Sequence, residues 1–80
     1  MTSILRITKS ILPYGDHWYS LTGEVRETYE AYDGQMKTDI FAVGEGSGSM
    51  ERMEQAAKWY VDNFDNVIIK RQSVTVIEGY

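Results

Sequence analysis

The chain has 80 residues, of which 42% are hydrophobic and 25% charged, and its formal net charge is −4. This composition is that of a globular domain, and it excludes a disordered tail. No apolar run approaches the roughly 20 residues that span a bilayer, so we expect neither a membrane protein nor a membrane partner. The acidic balance argues against direct nucleic-acid binding, which needs clustered Lys and Arg. We expect a single domain over residues 1–80.

Two features of the sequence bear on its location. The start, MTSILR, lacks the basic and then long apolar organisation of a secretory signal. The chain also has no cysteine, so it contains neither a disulfide nor a thiolate. Both features fit a reducing interior, and we expect a cytoplasmic protein.

Residues 4–12, ILRITKSIL, alternate as a β-strand does, with Leu5, Ile7 and Ile11 on one face. Lys9 interrupts that face, which favours an edge strand or a β-bulge. The next four residues, PYGD, are typical of a turn, because proline presets its own φ and glycine tolerates a positive φ.

Residues 17–43 have two interpretations. The first is a β-hairpin about Asp33-Gly34, in which a two-residue turn pairs Glu30 with Lys37 and Val25 with Ala42. The second is a helix over residues 24–32. The Thr, Tyr and Val content and the Asp-Gly dipeptide favour the hairpin.

The clearest predicted element is an amphipathic helix over about residues 49–64. Ser49 is a natural N-cap, and Glu51 and Glu54 stand where the helix dipole favours negative charge. Its apolar residues recur at helical spacing: Met50, Met53, Ala57, Tyr60, Val61 and Phe64.

The remaining segment, NVIIKRQSVTVIEGY, indicates one long strand or two short ones, and the lack of Gly or Pro near residues 71–72 favours one. The order β-β-β-α-β predicts an α+β domain, a mainly antiparallel sheet with the helix packed on one face.

The glycine-rich stretch before the helix, residues 44–49, invites comparison with a phosphate-binding loop. It lacks the G-x-G-x-x-G spacing and the Lys-Ser/Thr pair of such loops. Glu45 within it would also repel phosphate. We interpret the stretch as a flexible connector from sheet to helix.

No catalytic constellation stands out. His17 is the only histidine, and without a second histidine or a cysteine a metal site would depend on carboxylates. The sequence shows no nucleophile with a base and no cofactor motif. We predict a non-enzymatic protein with no catalytic residues, no metal and no cofactor.

Exposed aromatic residues are the candidates for partner binding. Trp59 lies roughly 130° from the apolar stripe of the helix, on the side of Arg52 and Gln55, and Trp and Arg dominate binding hot spots. Trp18 and Tyr14 form a second aromatic cluster around the first turn. Because a single helix covers one sheet face, the other is open to a partner or to a homodimer.

Three carboxylates complete the candidate binding set: Glu24, Glu27 and Glu30. In the helical interpretation they form one acidic stripe. In the strand interpretation Glu24 and Glu30 share one face, and Glu27 lies on the other. Either arrangement suits a protein partner with a basic, nucleic-acid-binding surface.

A single, cysteine-free, mildly acidic domain with a β-meander, one helix and a final strand resembles the small phage-encoded inhibitors of host defence, including anti-CRISPR proteins. The resemblance covers length, charge and element order, and no functional residue is carried over from it. It implies a non-enzymatic protein that occupies a surface of a host nucleic-acid-processing complex in the host cytoplasm. The alternative is a small homo-oligomeric structural or assembly subunit.

Overall fold

One helix covers one face of a four-stranded mixed sheet in the computed structural model, which describes residues 2–77. The elements follow in the order β-β-β-α-β, which confirms the α+β prediction. Their bounds are β1 Ser3–Ile11, β2 His17–Glu30, β3 Met36–Ser47, α1 Met50–Asn63 and β4 Val67–Thr75.

The strands lie in the order β3-β2-β1-β4. β2 runs antiparallel to both β1 and β3, and β4 returns from the helix to lie parallel to β1. The final segment is therefore one strand, as the sequence favours. Its last residues, 78–80, lie outside the described part of the chain.

Strand β1 pairs on both sides, so the expectation that Lys9 marks an edge strand or a bulge is wrong. Lys9 is tolerated on the helix-side face because it borders an open pocket beside Met50, where the helix begins. Ile7, one step earlier on the same face, is fully buried. Lys9 interrupts the apolar pattern at the place where the helix begins.

The long hairpin of β2 and β3 confirms the strand interpretation of residues 24–32, but its register differs by one residue from the predicted one. Tyr29 pairs with Lys37, and Val25 pairs with Phe41. The loop has three residues, 32–34, closed by Ala31 N donating to Gln35 O at 2.8 Å. Because a shift of one residue exchanges the two faces, Phe41 rather than Ala42 lies on the helix side.

The core lies between the helix and the middle of the sheet. The helix begins at its predicted cap, where the Ser49 hydroxyl accepts a hydrogen bond from Arg52 N at 3.3 Å. Burying each large aliphatic side chain contributes roughly 1.5–3 kcal/mol, so a core of this size sustains a small domain. Its buried hydrophobic residues are Leu5, Ile7, Leu21, Val25, Val43, Met53 and Ala57.

Gly23, in the middle of β2, is required by close backbone packing. Its φ is +137°, and a Cβ there would lie 2.4 Å from the carbonyl oxygen of Ile4. An L-residue would therefore be strained and would collide with the neighbouring strand.

The molecule is elongated, with extents of 55 × 28 × 15 Å and a Cα radius of gyration of 15.7 Å. A compact domain of this length has a radius of gyration of ~12 Å. The excess comes from the β2–β3 hairpin, which continues for six ladder pairs, from Val25–Phe41 to Glu30–Met36, beyond the rows in which β2 also pairs with β1. We call residues 27–39 the hairpin arm.

Candidate interaction surface

The arm leaves the sheet at Ser3. The Ser3 side chain is buried, and its hydroxyl accepts a hydrogen bond from Arg26 N at 2.8 Å. This contact satisfies a backbone N–H of β2 beside the first residue of β1. Beyond Arg26, β2 pairs with β3 alone.

The tip of the arm is a tight three-residue loop. Gly34 has a φ of +79°, and its N–H donates to Ala31 O at 2.9 Å. The Asp33 carboxylate accepts a hydrogen bond from Gln35 N at 3.1 Å. Tyr32 is fully exposed at this tip. The loop chemistry thus orders the backbone while presenting an aromatic ring to solvent.

The two faces of the arm differ in chemistry. On the face away from the helix, the hydroxyls of Thr28 and Thr38 are hydrogen-bonded at 3.1 Å, and Met36 and Ile40 are exposed. Alternate residues of a strand point to opposite faces, so Glu27 and Asp39, which pair across the arm, lie on the helix-side face.

Tyr29 shares that helix-side face and donates a hydrogen bond to Asp39. The negative charge of Asp39 is the main cause that raises the pKa of Tyr29, with desolvation, the hydrogen bond and the charge of Glu27 adding to it. Over residues 27–39 the arm carries four carboxylates and one lysine, so its field is negative.

An aromatic patch formed by Phe41, Trp59, Tyr60 and Phe64 lies near the base of the arm. The Trp59 ring meets Tyr60 edge-on at 4.9 Å between centroids and lies 6.1 Å from Phe64. Phe64 in turn lies 6.4 Å from Phe41 on β3. Trp59 remains 55% exposed and Phe41 46% exposed, so the patch presents apolar rings to solvent.

The predicted companions of Trp59 do not join the aromatic patch. The Trp59 ring leans toward Tyr60 and Phe64, on the β3 side. Gln55 instead lines a groove on the β4 side with Ile69, and Arg52 is exposed near the N-terminal cap.

Trp18 lies on the face opposite the helix and is 45% exposed. Its indole covers the glycine-rich end of β3, and a Cβ at Gly46 would lie 3.2 Å from Cζ2 of Trp18. Gly44 and Gly46 thus belong to β3, not to a connector as expected, and at Gly46 the missing side chain leaves room for the indole. Tyr14 is exposed at the β1–β2 loop.

The three glutamates of the candidate set do not form one stripe. Glu24 lies on the face away from the helix, where it lines an open pocket with Arg6 and Arg26. Glu30 lies on the same face near the arm tip, and Glu27 lies on the other. His17 is exposed at the start of β2.

Signals for several of these features are present in the sequence. A glycine inside a strand pattern indicates close backbone approach, which is what Gly23 shows. Nothing local marks Ser3, whose role depends on a backbone N–H in another strand.

The fold and surface define an α+β domain with a mixed sheet, one covering helix and a projecting hairpin. Comparisons of the chain with protein-family models, curated proteins and solved structures give no match. Within residues 2–77, no group of three or more His, Asp or Glu side chains is arranged to hold a metal ion. No helix in that part of the chain is long and apolar enough to cross a membrane.

Proposed function

We propose that the protein is a non-catalytic protein-binding module that inserts its hairpin arm into a recess of a larger partner. The arm itself is the observation that carries this proposal. A two-stranded ribbon outside a sheet is only marginally stable in water, yet this one presents Tyr32 and Met36 to solvent, with Ile40 exposed at its base. Exposed aromatic and aliphatic side chains on a projecting ribbon favour an interaction site.

The negative charge of the arm supports the proposal that the recess of the partner is basic. Its carboxylates outnumber its single lysine, and complementary charge speeds association and excludes wrong partners. The specific form that we propose is a phage-type inhibitor acting in the host cytoplasm. In it, the arm occupies a basic surface of a host nucleic-acid-processing complex. The resemblance in length, charge and element order supports this form.

The aromatic patch supplies a suitable anchor next to the arm. Tryptophan is enriched at binding hot spots, and Trp59 is already held by neighbouring rings, so little conformational freedom is lost when it is buried. We propose that Trp59 and Phe41 pack against the rim of the recess that the arm enters.

Shortening the arm tests the proposal. Immobilised protein captures its partner from host lysate, and the dissociation constant is then measured with the purified partner. In the test variant, residues 28–38 are replaced by Asn-Gly, a dipeptide that closes a hairpin between Glu27 and Asp39. We expect at least a roughly hundredfold weaker affinity, since hot-spot residues cost ~2 kcal/mol or more each.

The control is Tyr14→Ala, which removes an exposed tyrosine from the other hairpin loop and is expected to leave the affinity nearly unchanged. Equal affinity of the shortened variant and the full chain contradicts the proposal, provided that circular dichroism shows both folded.

Charge neutralisation tests the basic recess. The combined variant Glu27→Gln, Glu30→Gln and Asp33→Asn should bind more weakly than the unaltered chain. Its affinity should also depend less on salt. A nucleic-acid ligand of the partner should compete with the unaltered chain. If binding does not depend on salt and nucleic acid does not compete with it, the recess is not basic.

A further inference from the structure

The outer strand β4 pairs with β1 on one side only, within the described residues. At the two ends of that ladder, Ser3 N donates to Asn66 O at 2.9 Å and Val76 N donates to Ile11 O at 2.8 Å. Because backbone groups alternate along a strand, the even-numbered residues of β4 face β1. The odd-numbered residues from Val67 to Thr75 direct their N–H and C=O groups outward, which is a template for another strand.

Both faces of β4 carry apolar residues, with Lys70 and Arg71 in the middle of the strand. Ile68 and Val74 are 47% and 43% exposed on the face away from the helix. On the helix side, Ile69 lines an open groove of about 460 Å³ between α1 and β4, together with the exposed Val61. Lys70 and Arg71 are charges of the kind that natural edge strands carry, but apolar residues on both faces are typical of a strand that is covered.

We propose that β4 pairs antiparallel with β4 of a second copy of this chain, about a two-fold axis at Arg71, to form one continuous sheet. In this register the outward-facing residues of the two copies lie opposite each other and exchange backbone hydrogen bonds. Ile68 lies opposite Val74, and Lys70 opposite Gln72, at the positions where side chains approach most closely.

The pattern of β4 favours a second copy because it is complementary to itself. The two-fold pairing places Ile68 opposite Val74 twice. On the face away from the helix, it places no charged residue opposite a residue of like charge. At the axis, Arg71 of each copy is already neutralised by its own Glu54, through contacts of 2.6 Å from Nε and from Nη2.

The same pairing covers the groove beside the helix. A two-fold axis perpendicular to the sheet places both helices on one side, so the two grooves join and Val61 faces the second copy. The other outer strand, β3, is less suitable. Antiparallel pairing of β3 with itself about Ala42 would place Asp39 opposite Glu45, and both side chains are acidic. β3 also contains Gly44 and Gly46, which have low β-propensity. The arm, formed by β2 and β3, stays free, so this inference does not depend on its function.

Sedimentation equilibrium of the 80-residue chain at micromolar concentration tests the dimer. The variant Ser73→Pro removes an outward N–H and leaves the hydrogen bonds to β1 in place. It should raise the dissociation constant about tenfold or more, since one hydrogen bond is lost from each copy. The control is Thr38→Pro, which removes an N–H from the outward edge of β3 and should leave the dissociation constant unchanged.

Cysteine pairing tests the register and does not depend on how Ser73→Pro folds. The chain has no cysteine of its own, so single variants report without background. Opposed residues at such positions have Cα atoms ~4.5 Å apart, which a disulfide can bridge. A mixture of Lys70→Cys and Gln72→Cys should therefore form disulfide dimers under mild oxidation, and Lys70→Cys alone should not.

Three results would overturn the proposal. They are a monomer at every concentration, a folded Ser73→Pro that dimerises as the unaltered chain does, and equal crosslinking of the mixture and the single variant.

Discussion

The two hairpin loops share one local construction. In the first, Leu12 N donates to Asp16 O at 2.8 Å, and in the second, Ala31 N donates to Gln35 O at the same distance. Each has a glycine in the left-handed region at its third position, Gly15 with φ +85° and Gly34 with φ +79°. Three-residue loops closed by such a glycine are standard hairpin connections.

Their surroundings differ. The first loop is supported by the body of the sheet, because β4 continues beside β1 to Ile11, whose carbonyl accepts a hydrogen bond from Val76 N. The second lies at the end of the arm, beyond β1. Local sequence therefore sets the form of a loop, and the number of strands behind it sets whether that region is core structure or a projecting surface.

The largest expected loss of stability comes from a substitution in the supported region, the body of the sheet. Gly23→Ala should destabilise the protein by about 3 kcal/mol or more, because it combines a strained positive φ with a collision at the Ile4 carbonyl. Urea denaturation measures the change. Gly34→Ala in the arm loop, where a Cβ meets no atom within 4 Å, should cost less, about 1–2 kcal/mol. Equal losses at the two glycines would mean that packing around Gly23 is unimportant.

A second comparison sets a core residue against an exposed residue at the base of the arm. Leu21→Ala should cost about 3 kcal/mol, since it leaves a cavity beneath the helix. Ile40→Ala, at the exposed base of the arm, should cost within about 0.5 kcal/mol. Thermal or urea unfolding of both variants checks the contrast. A large loss at Ile40 would indicate that the arm is part of the cooperative core.

A substitution at the junction of the two regions should cause a loss of stability between those of the core and arm variants. Ser3→Ala removes the acceptor for Arg26 N and should cost about 1–2 kcal/mol. Hydrogen exchange should show faster opening of the arm amides than of the amides shared by β1 and β2. Ser3→Thr, which keeps a hydroxyl, is the matched control. Unchanged exchange in the arm of Ser3→Ala would show that this contact does not hold the arm.

Acid should weaken the supported region slightly. The hydrogen bond from Arg71 lowers the pKa of Glu54 below its ordinary value of 4.5, and the positive charge of Arg71 adds to this while desolvation opposes it. The ion pair thus contributes above pH 4.5, and its contribution is lost as pH falls through the lowered pKa. Because both groups are partly exposed, solvent screening keeps this contribution to stability small. Glu54→Gln should remove this part of the pH dependence in urea denaturation.

Alkali should act on the arm. The pKa of Tyr29 is raised above 10.0, mainly by the charge of Asp39. Because the pKa is raised in the folded state, the neutral Tyr29 hydroxyl contributes to stability below pH 10. This contribution is lost as pH rises through the pKa of the folded state. NMR titration of the Tyr29 ring should show its ionisation at lower pH in Asp39→Asn than in the unaltered chain. An unshifted titration would mean that Asp39 does not act on this hydroxyl.

Much of the fold could be predicted because its signals are local. The helical spacing of Met53 and Ala57 identified a helix and its buried face. Asp33-Gly34 marked the hairpin, but a two-residue turn was expected where the chain forms three, so the register was one residue off. The identity of the loop residues favours a turn without fixing its length, and the error placed Phe41 on the face away from the helix.

The candidate surface was less predictable for a physical reason. An exposed Trp59 follows from helix geometry, but its ring contacts depend on where Phe64 and the β3 strand lie. The arm has no sequence signature of its own. Its residues alternate as those of any hairpin do, and it projects because β1 is shorter than β2.

The sequence by itself determined the element types, their order, the helix cap at Ser49 and the apolar face of the helix, because each depends on neighbours within a few residues. The tertiary structure decided that β1 is central and that β4 is an outer strand. It also decided that Gly46 accommodates Trp18 and that the hairpin projects as an arm. These features depend on which distant segments pair and how far each extends, and local pattern does not encode such long-range contacts.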